Sequence, residues 1–203
     1  MFRLIKITFK AIIIVLAIIG FNAIGGDKYV NIAKMHITEF IQSHHSETIK
    51  KLGDFSNLNE EFQVDNSVNI MGYKAVIAEH KASGQKMVIL DSGKKSLLTK
   101  EDISGKEIEN KLKSLSEKFK YQGVSVKEIH VTNRGEIEVF GQKVPYAKFE
   151  AKVSKLPVPN ISGIIASVQT SDGSEKLALS LNENKKYSQL ISAEFFKEVR
   201  ESN

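Results

Sequence analysis

Apolar residues along this chain change period several times, and each change marks an element. Ala11 to Ile24, inside "FKAIIIVLAIIGFNAIGG", is apolar on every side apart from Asn22 and Gly20. Beyond it, Val30, Ala33, Ile37, Phe40 and Ile41 recur at helical spacing between Asp27, a capping residue, and Gly53, a natural stop. This predicts an amphipathic helix over 27–53. "DFSNLNEE" then reads as a loop. In "YKAVIAEHKASGQKMVILDSG" the period drops to two. Tyr73, Ala75 and Ile77 alternate with Lys74, Val76 and Ala78, and Ser83-Gly84 supplies a turn before Met87 to Leu90 returns. Both residue sets are apolar enough that both faces of this hairpin are expected to be covered.

"SGKEIENKLKSLSEKFK" returns to helical spacing, with Ile108, Leu112, Leu115 and Phe119 on one stripe. Ser104 and Glu107 have the spacing of a capping box. Strand-like runs follow at 124–131, 136–140, 144–153, 161–170 and 176–181, with turns expected at 133–135, 141–142 and Asp172-Gly173. Such short connections require antiparallel pairing. In "KVPYAKFEAKV" the apolar parity switches between Tyr146 and Phe149. Together with Pro145, which cannot donate to a ladder, this predicts a bulge or an edge. Tyr187, Ile191, Phe195 and Val199 recur every four residues in a closing helix. The fold class is therefore α+β: a mostly antiparallel sheet with packed helices, preceded by an export or membrane segment and an amphipathic helix. The boundaries are 1–25 for the leader, 27–53 for the helix and 62–201 for a single α+β domain.

Charge gives the leader its meaning. Arg3, Lys6 and Lys10 precede the apolar run and no acid occurs before Asp27, the layout of a secretory signal peptide. The 14 apolar-run residues are short of the roughly 20 that span a bilayer, unless the span extends back to Leu4 with Lys6 and Lys10 snorkelling. Shortness argues for cleavage. The modest site at Ala23-Ile24-Gly25 argues for retention as an anchor. Either way the remainder is placed outside the cytoplasm, secreted or periplasmic, or held to the membrane by residues 4–24. The formal charge of +5 falls to about +2 without the leader, and the remaining lysines are interspersed with acids. That describes a solvated surface and not a nucleic-acid stripe. With no cysteine, disulfides, thiolate metal sites and a cysteine nucleophile are excluded.

The order of elements resembles the PsbP/Mog1-like domains. A hairpin, a middle helix, a meander of long strands including "GQKVPYAKFEAKV", and a closing "SAEFFKEV" helix follow one another from about Phe62 to Val199. The resemblance rests on element order. It implies an accessory or binding role and carries no functional residue across.

Candidate chemistry is sparse. His36, His44 and His45 lie on the first predicted helix with Glu39 and Glu47. Only His36 and Glu39 have a ligand spacing, and His44 falls on the apolar face. Adjacent strand residues point to opposite faces, so Glu79 and His80 are not expected to meet, and His130 is expected on the surface or a sheet face. No Gly-x-Ser-x-Gly is present, and "SGKKS" at Ser92 to Ser96 lacks the context of a phosphate loop. Asp65, Asp91, Asp102 and Asp172 read as turn or cap residues. No catalytic, cofactor-binding or metal residue is assigned, and no cofactor. The expectation is an exported, non-catalytic accessory or binding module whose partner is another envelope protein or a small ligand. The alternative is an exported hydrolase or weak metal-binding protein built from dispersed groups, which requires His36, His80 and His130 to converge with a carboxylate.

Overall fold

A computed structural model of the protein describes residues 45–70, 73–93, 96–118, 125–154 and 160–202. The leader (1–25) and the first predicted helix as far as residue 44, with His36 and His44, lie outside the described residues. The end of that helix is seen as α1, His45–Leu52. Among the described residues no helix is long and apolar enough to cross a membrane.

Seven strands form one antiparallel sheet: β1 Phe62–Ile70, β2 Tyr73–His80, β3 Gln85–Asp91, β4 Ser125–Val139, β5 Gln142–Ser154, β6 Asn160–Gln169 and β7 Glu175–Glu183. Their order is β1-β2-β3-β7-β6-β5-β4. Two meanders are thus joined where β3 pairs with β7, from Lys86↔Leu181 to Asp91↔Lys176. α1 and α4 (Gln189–Glu198) cover one face, while α2 (Lys100–Ser104) and α3 (Ile108–Lys118) cover the other. The mostly antiparallel α+β architecture is as the alternation requires.

Both sheet faces are packed. Val76, Ala78, Met87, Ile89, Ile164, Ala166 and Ala178 meet Leu52, Phe195, Phe196 and Val199 on the α1/α4 face. Ala75, Ile77, Val88, Leu90, Ile165 and Leu177 belong to the second core with Ile103, Ile108 and Leu112. This explains why the β2–β3 hairpin is apolar at both parities: neither face meets water. The Lys81–Gly84 turn carries Gly84 at φ 68°. An L side chain is strained there, so Gly84→Val is expected to cost about 1–2 kcal/mol in urea unfolding. Wild-type stability in that variant would remove the argument.

Two local expectations need correction, and a third, the bulge or edge near Pro145, is met in part. The residues 133–135 do not turn. β4 runs unbroken through them for 15 residues, absorbing the break in pattern as register shifts at Val126/Glu128 and Val131/Asn133. The capping box is not Ser104–Glu107. Thr99 and Asp102 form it at the head of α2, and Ser104 instead donates back to the Lys100 carbonyl. The parity switch in β5 adds no residue to β5 itself; the register shift at Val131/Asn133 lies opposite it, between Phe149 and Lys148, and the extra residue belongs to β4. Val144 and Tyr146 pack on the α1/α4 face, and Phe149, Ala151 and Val153 point to the other. The covering helices are offset along the strand, so the buried side changes while the pleat continues. Pairing with β6 ends at Tyr146↔Ala166, which leaves Pro145 on a locally open side.

Candidate functional site

The β2–β3 turn brings an imidazole, a hydroxyl and a carboxylate together. His80 ends β2 with its ring buried, edge-on to Phe62 at 5.4 Å between centroids. Its Nδ1 is 2.9 Å from Ser83 Oγ and accepts the Ser83 backbone N–H at 3.3 Å. Its Nε2 is 3.7 Å from a Glu61 carboxylate oxygen. An Nδ1 that accepts an amide proton is unprotonated, so in the neutral ring Nε2 carries the hydrogen and faces Glu61. Carboxylate, imidazole and hydroxyl therefore stand in the order of a general-base relay.

What surrounds Ser83 decides its use. Acyl transfer also needs preorganised donors for a developing oxyanion. Here the Gly84 N–H binds the His80 carbonyl at 2.8 Å, the Gln85 N–H binds Ser83 Oγ at 3.2 Å, and the Lys81 N–H binds the Glu61 carbonyl at 2.8 Å. These amides close the turn. The constellation locks the hairpin and ties the segment before β1 to it. Glu79, the sequence neighbour of His80, points to the opposite face as strand alternation demands and pairs there with Lys86. Glu61 and Ser83 carried no signal as partners of His80. Ser83 reaches it through a tight turn, and Glu61 only because β1 pairs with β2.

Other charged groups are also built into the fold. Lys86, 4% exposed, bridges Asp65 at 2.7 Å and Glu79. Lys176, also 4% exposed, donates to the Lys51 and Leu52 carbonyls at 3.2 and 3.4 Å and lies over the Phe140 ring. It serves the unpaired C-terminal carbonyls of α1. Burial pushes its pKa down, opposed by Asp172 and Asp91. The Asp172 carboxyl is held at about 2 by the Ser174 amide and hydroxyl and by the Thr170 hydroxyl. These bonds close the β6–β7 turn at Gly173. Asp91 pairs with Lys74 at 3.6 Å and accepts the Gly93 N–H.

No protein-family model and no curated protein matches the chain.

His130 lies on β4, its side chain 66% exposed, 3.5 Å from Glu109 on α3. His80 and His130 do not converge. Five strand steps separate β2 from β4, about 24 Å at ~4.8 Å per step, whereas shared metal ligands lie near 2 Å from one ion. No group of three or more His, Asp or Glu among the described residues is arranged to hold a metal ion.

Beneath α4 lies a buried polar network. Gln85, with no exposed surface, places Nε2 3.0 Å from Ser180 Oγ and 2.9 Å from both the Ser188 carbonyl and Ser192 Oγ, its two N–H groups shared among the three acceptors. Its Oε1 accepts the Ser188 N–H at 2.8 Å. Tyr187, its pKa pushed up to about 12 by burial, places its hydroxyl 3.1 Å from Ser192 Oγ. Each partner is a protein group, so the network fastens the closing helix to the sheet.

Proposed function

We propose that the protein is an exported, non-catalytic accessory or binding module, working at the outer face of the membrane or in the cell envelope, with another envelope protein or a small ligand as its partner. The observation that carries this reading is the state of the His80–Ser83–Glu61 group: the amides that an acyl-transfer site would aim at an oxyanion are engaged in the turn. The basic, apolar N-terminus of the sequence supports export. The resemblance of the element order to PsbP/Mog1-like domains implies the same accessory role.

One observation favours a second reading. The Glu61–His80–Ser83 order is that of a hydrolase relay. The test uses full-length chain, tagged at its C-terminus and captured from envelope extract of its native host after cross-linking. A stoichiometric envelope partner or co-eluting ligand is expected, with no labelling of Ser83 by a fluorophosphonate. Labelling of Ser83 that His80→Ala abolishes would replace the binding role with the hydrolase. Intact mass from the same sample distinguishes a chain cut before Gly26 from an anchored one.

A further inference from the structure

β4 is the outermost strand on its side of the sheet, and no described strand pairs with its outer edge. It is long for an edge, and Lys127, Glu128, His130, Thr132, Asn133, Arg134, Gly135 and Glu136 are all exposed along it. Exposed edges of this kind are templates for further strands unless something blocks them. At Val131 something does. The Val131 backbone N–H donates to Glu109 Oε2 at 2.9 Å, and Glu109 Oε1 is 3.5 Å from His130 Nδ1. A carboxylate from α3 reaches round the edge and occupies the position an incoming strand's carbonyl would take.

We propose that Glu109 is a removable stop on a self-pairing edge, and that the strand it excludes is β4 of a second copy of this chain. In an antiparallel ladder a residue whose N–H points outward also points its carbonyl outward, and two such residues placed opposite exchange both bonds. A two-fold axis through Val131 creates that rung between two copies. It sets the half-buried Val131 side chains against each other on the α2/α3 face. With the bulge at Thr132 counted as one position with Asn133, Ile129 then faces Arg134 and His130 faces Asn133, so no like charges are opposed. The arginine stem can lie over Ile129. The one acceptor now on the Val131 N–H is a side chain on another element, and it can leave without disturbing the β4–β5 ladder. This device is independent of the accessory role proposed above.

The test measures self-association of the full-length chain in non-ionic detergent by size-exclusion chromatography with light scattering. Wild type is expected to be monomeric. Glu109→Ala should form dimers with a dissociation constant at least tenfold lower than wild type. Glu109→Gln keeps an acceptor oxygen and should stay monomeric. In the Glu109→Ala background, Val131→Pro should restore the monomer, because it deletes an N–H that points away from β5 and costs the sheet no bond. A folded Glu109→Ala protein that remains as monomeric as wild type overturns the proposal. So does a dimer that survives Val131→Pro, or a wild type already paired through β4. Circular dichroism of each variant establishes that it is folded. Should Glu109→Ala fail to fold, Glu109→Ser, whose hydroxyl is too short to reach Val131, is measured in its place with the same expected dimer.

Discussion

Gly163→Ala should be among the most damaging single-methyl changes available in this protein, lowering stability by about 3 kcal/mol. Gly163 sits inside β6, between β5 and β7, where Phe149 and Leu181 are its register partners. A Cβ built there meets the Ser180 carbonyl oxygen at 2.3 Å and the Phe149 ring at 2.9 Å. The ring could tilt; the carbonyl belongs to a neighbouring central strand and cannot move without breaking the ladder. Overpacking typically costs 1–3 kcal/mol, and a backbone obstacle belongs at the upper end. For a domain of this size that is a fall in Tm of roughly 6–12 °C. Calorimetry would check it, with Gly173→Ala as the comparison, since a Cβ at Gly173 meets nothing within 4 Å and adds only the strain of φ +79°. Equal shifts in the two variants would show that crowding at Gly163 is not the cause.

Gln85→Ala should cost about 2–4 kcal/mol and loosen α4 selectively. The truncation strips partners from the hydroxyls of Ser180 and Ser192, which are buried, and from the Ser188 N–H, which is half-buried; an unpaired buried group costs about 1–3 kcal/mol. Ser192 can still bond Ser180 at 2.9 Å, which limits the loss. Amide exchange at Ser188 to Ser192 should quicken more than at Met87 to Leu90. Adding Ser180→Ala and Ser192→Ala to Gln85→Ala should cost little further, because members of one network do not add. Full additivity, or unchanged exchange in α4, would mean that helix docking is purely apolar.

Much of the architecture was legible because its signal is local. The β2–β3 hairpin declares itself by apolar residues at both parities around Ser83-Gly84, and the closing helix by Tyr187, Ile191, Phe195 and Val199. What escaped was long-range. β1 has no continuous alternation: Phe62 and Val64 face one core, the bulge at Val64/Asn66 shifts the phase, and Ser67 then takes a buried place. β4 looked like two strands because each register shift mimics a turn in a period-two pattern, and Asn133 and Gly135 are turn-prone residues. Gly135 is there for another reason, since the Tyr146 ring lies over it within 2.9 Å of where a Cβ would be. The hairpin lock was half legible. His80 stood out, but Glu61 joins it only through β1–β2 pairing. The Gln85 network gave no sign, since a glutamine beside a turn looks like surface until a helix from the far end of the chain lands on it.

The place where β3 meets β7 also bears on how the chain finds its fold. Each meander can zip hairpin by hairpin, closing short loops at little entropic expense. The β3–β7 pairing cannot form until both exist, because Asp91 must meet Lys176 from far along the chain. Contacts of such separation raise contact order and slow folding. Docking of the two half-sheets is then expected to come late in folding. Substitutions at Val88 and Leu179, which face each other across that junction, would speed unfolding far more than they slow folding if docking follows the transition state; the opposite partition would place it inside the nucleus.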